Sequence, residues 1–164
     1  MKESINLIPL DVNQSESFLK LYQEVFPQQK ITQEKIDAIL ANNKAHVFLA
    51  QRRGGSRPAR DSETKHIGFI YYWIVVSELQ IMDIGGQGSH RRQGIAQALL
   101  TFAIKQAEQQ GLKIHLEVRR DNLAAIAMYE KAGFIKIASR KKYYTDGCDA
   151  LLYSMDLNQV DWLL

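Results

Sequence analysis

The chain is short of the residues that staple, anchor or metallate small proteins. It has one cysteine, Cys148, in 164 residues, which excludes an internal disulfide and fits a reducing compartment. A cytoplasmic protein is expected. The cysteine itself reads as a small, half-buried hydrophobe rather than a nucleophile. No apolar run approaches the roughly 20 residues that a membrane-spanning helix requires. The opening "MKESINLIPL" lacks the long apolar stretch of a secretory signal. His46, His66, His90 and His115 are scattered without ligand spacing, so no metal site is expected. Excess charge is also missing: the formal balance is +3. That balance sits in one loop, "QRRGGSRPARDSETKH" from Gln51 to His66, where Arg52, Arg53, Arg57, Arg60 and Lys65 face only Asp61 and Glu63. A phosphate-seeking arm is one reading. No aromatic is interleaved for base stacking, so a solvated loop is the expectation and direct nucleic-acid binding is not.

What remains is an ordinary globular composition, 46% hydrophobic and 24% charged, expected to form a single domain over residues 1–164 with a sizeable core. "NQSESFLKLYQEVF" predicts a helix with Phe18, Leu21, Tyr22 and Val25 on one face, capped by Asn13 or Ser15 and ended by Pro27. "TQEKIDAILANN" predicts a second helix capped by Thr32. "AHVFLAQRR", "KHIGFIYYWIVV" and "ELQIMDIG" read as strands. Gly94 to Gln110 has helical spacing and Gly111 terminates it. "LKIHLEVRR" is a strand, and "LAAIAMYEKA" a helix bounded by Asn122 and Gly133. "FIKIAS" and "ALLYSMDL" close the chain as strands. The middle strand–helix–strand step requires a parallel crossover, and the outer strands pair antiparallel. An α/β fold follows, with a mixed, mostly antiparallel sheet of about six or seven strands and helices on both faces. The tail "DWLL", with Trp162, is expected to pack on the body.

Two stretches carry chemistry. In "GGQGSHRRQGIAQALL" a glycine-bearing turn follows a strand and opens a helix. The first helical amides lack internal partners and that end of the helix is positive, so the turn suits an anion; Arg91 and Arg92 add charge. It is not a Walker A loop, which ends Gly-Lys-Ser/Thr, nor a dinucleotide fingerprint, because Arg91 replaces its third glycine. In "HLEVRRDNLAAIAMYEKAGF" alternation puts Ile114, Leu116 and Val118 on one face and His115, Glu117 and Arg119 on the other. A mid-strand carboxylate such as Glu117 is costly to bury without a partner or a purpose. Tyr129, about two turns into the following helix, reads in isolation as a core tyrosine with its hydroxyl at the rim. His115 competes with Glu117 as a base, and Asp83 reads as a strand or turn residue.

Arg91-x-x-Gly94-x-Ala96 matches the acyl-CoA motif Gln/Arg-x-x-Gly-x-Gly/Ala of the Gcn5-related N-acetyltransferase (GNAT) superfamily. "LEVRRDNLAAIAMYEKAGF" with "RKKYYTDGCDALLYSMDL" resembles the branch that acetylates the N-terminal alanine of a ribosomal protein. The resemblance runs from about Ile67 to Leu157, with Phe26-Pro27 as a weak extension. It implies acetyl-CoA as acetyl donor, without a metal, and the α-amine of a protein N-terminus as acceptor. It places Ile84, Gly85 and Gly86 against the acetyl and pantetheine part. It places Arg91, Arg92, Gln93, Gly94, Ile95, Ala96 and Gln97 about the pyrophosphate, and Asn122 on the cofactor's arm. Glu117 falls on the family's proton acceptor, Tyr129 on its proton donor, and Tyr143 and Tyr144 on an acceptor slot. The chain departs from the pattern at Gly86-Gln87-Gly88, where a branched residue followed by Asp-Pro is usual. The alternatives are acetylation of a lysine or small amine, and a silent ribosome- or RNA-binding module.

Overall fold

Seven strands and four helices follow one another in the computed structural model, which describes residues 5–52 and 65–157. Most of the basic loop, residues 53–64, and the tail bearing Trp162 lie outside the described residues. The strands are β1 (Ile5–Pro9), β2 (Ala45–Arg52), β3 (His66–Val75), β4 (Glu78–Gly86), β5 (Lys113–Arg119), β6 (Ile135–Arg140) and β7 (Ala150–Met155). The helices are α1 (Ser15–Val25), α2 (Gln33–Ala41), α3 (Ile95–Gln110) and α4 (Leu123–Ala132). Sheet order is β1-β2-β3-β4-β5-β7-β6. The expected crossover is present: β4 and β5 pair in parallel from Glu78↔Lys113 to Ile81↔Leu116, with α3 between them in the chain. β1–β2, β5–β7 and β6–β7 are antiparallel. No helix among the described residues is long and apolar enough to cross a membrane.

One strand is added to the expected set and one local expectation is corrected. β1 was not legible, because "INLIP" has no clear alternation; its pairing with β2, from Ile5↔Arg52 to Pro9↔Phe48, makes it a strand. Nor do Asn13 or Ser15 cap the first helix. Asp11 accepts from the Asn13 amide at 2.8 Å while the Gln14 side chain accepts from the Asp11 amide at 3.2 Å, capping a short 3-10 turn that runs into α1. Other caps stand where expected. Thr32 accepts from the Lys35 amide and Asn122 from the Ala125 amide at 3.2 Å. Gly111 and Gly133 follow α3 and α4 at φ +65 and +102, the left-handed conformation that favours glycine.

The chain forms two compact units. The first comprises Met1–Tyr72 and Asp83–Phe102, the second Trp73–Met82 and Ala103–Leu164. In the first, Phe69 of β3 is ringed by Phe18, Tyr22 and Phe26 at centroid distances of 5.0, 5.0 and 5.8 Å. Ile36, Leu49, Ile67, Ile70 and Leu99 are buried in the same unit. Its sheet is covered on both faces. Gly85 lies against Val25 and Phe26 at the end of α1, while its neighbour Gly86 lies against Ile95 at the start of α3; successive strand residues point to opposite faces. In the second unit Leu79, Ile81, Ile114, Leu116, Val118 and Tyr153 are buried. The Tyr153 hydroxyl donates to Glu130 of α4 at 2.7 Å, tying that helix to the buried face.

Candidate functional site

In the first unit the last residues of β4 alternate against two helices. Asp83, Gly85 and Gln87 meet the end of α1. The Tyr22 hydroxyl donates to Asp83 at 2.7 Å, Gly85 packs on Val25 and Phe26, and the Gln87 amide donates to Glu24. Burial pushes the Asp83 carboxyl up, against the Tyr22 hydrogen bond and Lys35, which pull it down. Burial and then Asp83 itself hold the Tyr22 phenol well above its usual value. Of the departing residues Gly86-Gln87-Gly88, the structure gives Gln87 a local role. No side chain larger than hydrogen fits at Gly85 without moving Val25, since a Cβ there would sit 2.6 Å from its Cγ1. Gln87 substitutes its own anchors, its N–H donating to the Ile67 carbonyl at 2.8 Å and its amide to Glu24. The carboxylate fixes which way that amide faces. Its Oε1 is therefore left buried, with no donor among the described residues.

Gly68 on β3 is the residue that sequence reasoning missed here. A Cβ at Gly68 would lie 2.6 Å from the Gly85 carbonyl oxygen and 2.8 Å from Ile95 Cγ2. The signal was available, because an isolated glycine inside an apolar strand run marks a close approach.

Beyond Gln87 the chain makes a short 3-10 turn, Gly88–His90, and reaches α3 through two left-handed residues, Arg92 at φ +61 and Gly94 at φ +78. The first α3 bond runs from the Ala98 amide to the Gly94 carbonyl at 2.9 Å. The amides of Ile95, Ala96 and Gln97 precede it and have no acceptor within the helix. Arg91 and Arg92 are exposed and form no ion pair among the described residues. Gln93 accepts from Arg52. Nothing lies within 4 Å of a Cβ placed on Gly88 or Gly94, so the backbone of this turn is open. Ile84 to Gly86 thus end β4, and Arg91 to Gln97 form the turn into α3 and its first residues.

In the second unit β5 shows the expected alternation, with Ile114, Leu116 and Val118 buried and His115, Glu117 and Arg119 half-buried on the other face. Glu117 Oε1 is 3.3 Å from the Arg140 guanidinium. His115 Nε2 is 3.6 Å from Glu78. These four line a cavity of about 160 Å³ together with Ile137 and Leu152. The stretch "RKKYY", from Arg140 to Tyr144, reads in sequence as the end of a strand, but Tyr143 and Tyr144 lie beyond it. β6 stops at Arg140, and both rings sit in the turn that follows, edge-on at 5.3 Å. The Arg140 guanidinium lies 5.5 Å from the Tyr143 ring and that of Arg119 lies 4.7 Å from the Tyr144 ring. Burial, and after it the Glu117 carboxylate, raises the Tyr144 phenol. Glu117, Tyr143 and Tyr144 therefore share one neighbourhood through Arg140. Tyr129 is buried in α4, edge-on to Phe134 at 5.8 Å. Asn122 is engaged as the cap of α4. Neither Arg119 nor Arg140 was singled out from sequence, since a basic residue at a strand end usually reads as solvated. Among the described residues no three His, Cys, Asp or Glu side chains are grouped as metal ligands.

The acetyltransferase (GNAT) family profile matches residues 15–134. The chain is similar to the ribosomal protein bS18-alanine N-acetyltransferase of Escherichia coli K12, at 36% identity over 98 residues. That match is 57% of this chain and 66% of the relative, so the chain spans just under two thirds of that protein's length. It is 31% identical over 124 residues to the putative bS18-alanine N-acetyltransferase of Bacillus subtilis, 74% of this chain and 75% of the relative. The crystal structure of the Escherichia coli ribosomal-protein-S18-alanine N-acetyltransferase has the same fold, with a TM-score of 0.80 at 24% identity over 98% of this chain and 99% of that one.

Proposed function

The chain belongs to the GNAT acetyltransferase family, and on that premise we propose that it transfers the acetyl group of acetyl-CoA to the α-amine of a protein N-terminus. The relatives named for alanine acetylation of ribosomal protein bS18 support a small first residue and a ribosomal acceptor. The reading takes residues 1–164 as one N-acetyltransferase domain. The observation that carries it is the open turn of the first unit. Three helix-start amides, two exposed arginines and two glycines with no atom near a Cβ fit a diphosphate.

In this reading Arg91 to Gln97 hold the pyrophosphate, and the backbone of Ile84, Gly85 and Gly86 lies along the acetyl and pantetheine part, with Asn122 contacting the arm. Acetyl-CoA supplies the acetyl group as a thioester. The protein's part is protonic. The acceptor must be a neutral amine. An α-amine ordinarily titrates at about 7.7–8.0, against about 10.4 for lysine, and so reaches that state near neutrality. Glu117 takes the amine proton, directly or through water, and Arg140 holds its carboxylate. Tyr129 gives a proton to the departing sulfur, and Tyr143 and Tyr144 receive the acceptor chain.

The test is intact-mass analysis of peptides with a small first residue incubated with protein and acetyl-CoA. Addition of one acetyl group is expected when only the internal lysines are blocked, and none when the α-amine is blocked. The reverse pattern would identify a lysine acetyltransferase instead. Acetyl-CoA should also raise the melting temperature, and Gly94→Asp should remove most of that shift by placing a side chain and a negative charge in the turn.

A further inference from the structure

The residues following β6 form a turn that is stiff within itself. The Tyr144 amide donates to the Cys148 carbonyl at 3.1 Å and the Gly147 amide to the Tyr144 carbonyl at 2.9 Å, with Gly147 left-handed at φ +81. Asp146 accepts from the Cys148 amide and Asp149 from the Lys142 amide. Two residues tie this turn to the end of β5: Arg120, whose N–H donates to the Asp149 carbonyl at 3.0 Å and whose guanidinium lies 3.1 Å from the Asp149 carboxylate, and Arg119, which reaches further into the turn. Its Nε and Nη2 donate to the two oxygens of Asp121 at 3.0 and 2.9 Å. Its Nη1 and Nη2 donate to the two oxygens of Asp146 at 3.3 and 2.6 Å. The Tyr144 ring covers the guanidinium face at 4.7 Å. A planar fork with two donor edges and a stackable face can do all three at once; an ammonium cannot.

Overall stability is a poor explanation for this arrangement. The Asp121 and Asp146 side chains are 61% and 56% exposed, and exposed ion pairs contribute little to global folding. Their effect is local. Asp121 precedes Asn122, the cap of α4, and Asp146 belongs to the turn that presents Tyr143, which is 50% exposed. One guanidinium therefore fixes the start of α4 and an outward aromatic on a rigid turn.

We propose that Arg119 is a positioning residue for acceptor recognition: it sets the turn carrying Tyr143 and Tyr144 relative to β5 and the start of α4, and so determines how tightly the acceptor chain is held. This rests on the acceptor role assigned to those tyrosines. Arg119 touches neither reacting group, so its loss acts on acceptor binding rather than on the chemical step.

The experiment compares the full-length protein with Arg119→Lys and Arg119→Ala. With a peptide acceptor of small first residue, both variants should raise the acceptor KM at least tenfold. Their kcat at saturating peptide should stay within about threefold, and their KM for acetyl-CoA within about twofold. Lysine should not rescue, because it keeps the charge and loses the fork. A second readout needs no turnover: hydrogen exchange at the Tyr144, Gly147 and Cys148 amides should speed up in both variants while the β5 amides stay protected. An unchanged acceptor KM in a folded variant, or a lysine variant indistinguishable from the parent, overturns the proposal. Loss of turn protection in variants of a protein that acetylates no peptide would instead remove the acceptor role and leave only the clamp.

Discussion

Gly68→Ala tests the close packing behind the turn proposed to hold the cofactor. Gly68 does not have a left-handed φ, so alanine is allowed by the backbone and the whole penalty is contact. The new Cβ would sit 2.6 Å from the Gly85 carbonyl oxygen, 2.8 Å from Ile95 Cγ2 and 3.0 Å from Gly86 Cα. Ordinary carbon contacts lie near 3.5–4.0 Å, so roughly 0.5 Å or more of movement is needed. Two of the three neighbours are backbone, and Ile95 is buried at 3% exposure, so neither side yields easily. Overpacking of this kind costs about 1–3 kcal/mol. The stiffer unfolded chain returns about 0.4–1 kcal/mol. The net loss is about 0.5–2 kcal/mol, or about 1–8 °C in melting temperature for a chain of this size. The strand that must move carries Gly85 and Gly86, so kcat/KM for acetyl-CoA should fall about 10- to 100-fold, the scale of sub-ångström to ångström misplacement. Gly88→Ala is the control: nothing lies within 4 Å of its Cβ, and its stability should stay within about 0.5 kcal/mol of the parent. Thermal melts with and without acetyl-CoA, with steady-state kinetics, measure both effects. A Gly68→Ala protein that melts with the parent and keeps its acetyl-CoA KM would refute the packing account.

Three further outcomes are expected. Glu117→Gln should bind acetyl-CoA and lose roughly 10²–10⁴ in kcat, the range for a positioned proton acceptor. Tyr129→Phe should recover part of its lost rate with a thioester whose thiol is more acidic; a folded pair of variants with parental turnover would remove both roles. Asp83→Asn should gain stability at pH 7. Burial raises the folded Asp83 carboxyl, so its charge costs stability as pH rises from the ordinary carboxylate value of about 3.9 through the raised one. The gain should therefore fade as pH falls below about 4, and urea melts at both pH values would show a constant difference if that cause is wrong.

The elements whose identity depends on local chemistry were legible in the sequence. α4 is bounded by a capping Asn122 and a left-handed Gly133, and both signals act within one helical turn. β5 alternates without interruption from Lys113 to Arg119, so its buried face and the half-buried set containing Glu117 could be read residue by residue. The turn into α3 was legible for the same reason, because helix-start amides and a glycine are neighbours in the chain. Partners distant in sequence were not. Glu117 and Arg140 meet because β5, β7 and β6 lie side by side in the sheet. Tyr22 and Asp83 meet across 61 positions of chain. β1 is a strand only because β2 supplies its ladder. Local backbone preference is encoded within a few residues. The pairing of a carboxylate with a particular guanidinium or phenol is set by strand order and register, which the tertiary structure alone decides, and it is that pairing that gives Glu117, Arg119 and Asp83 their surroundings.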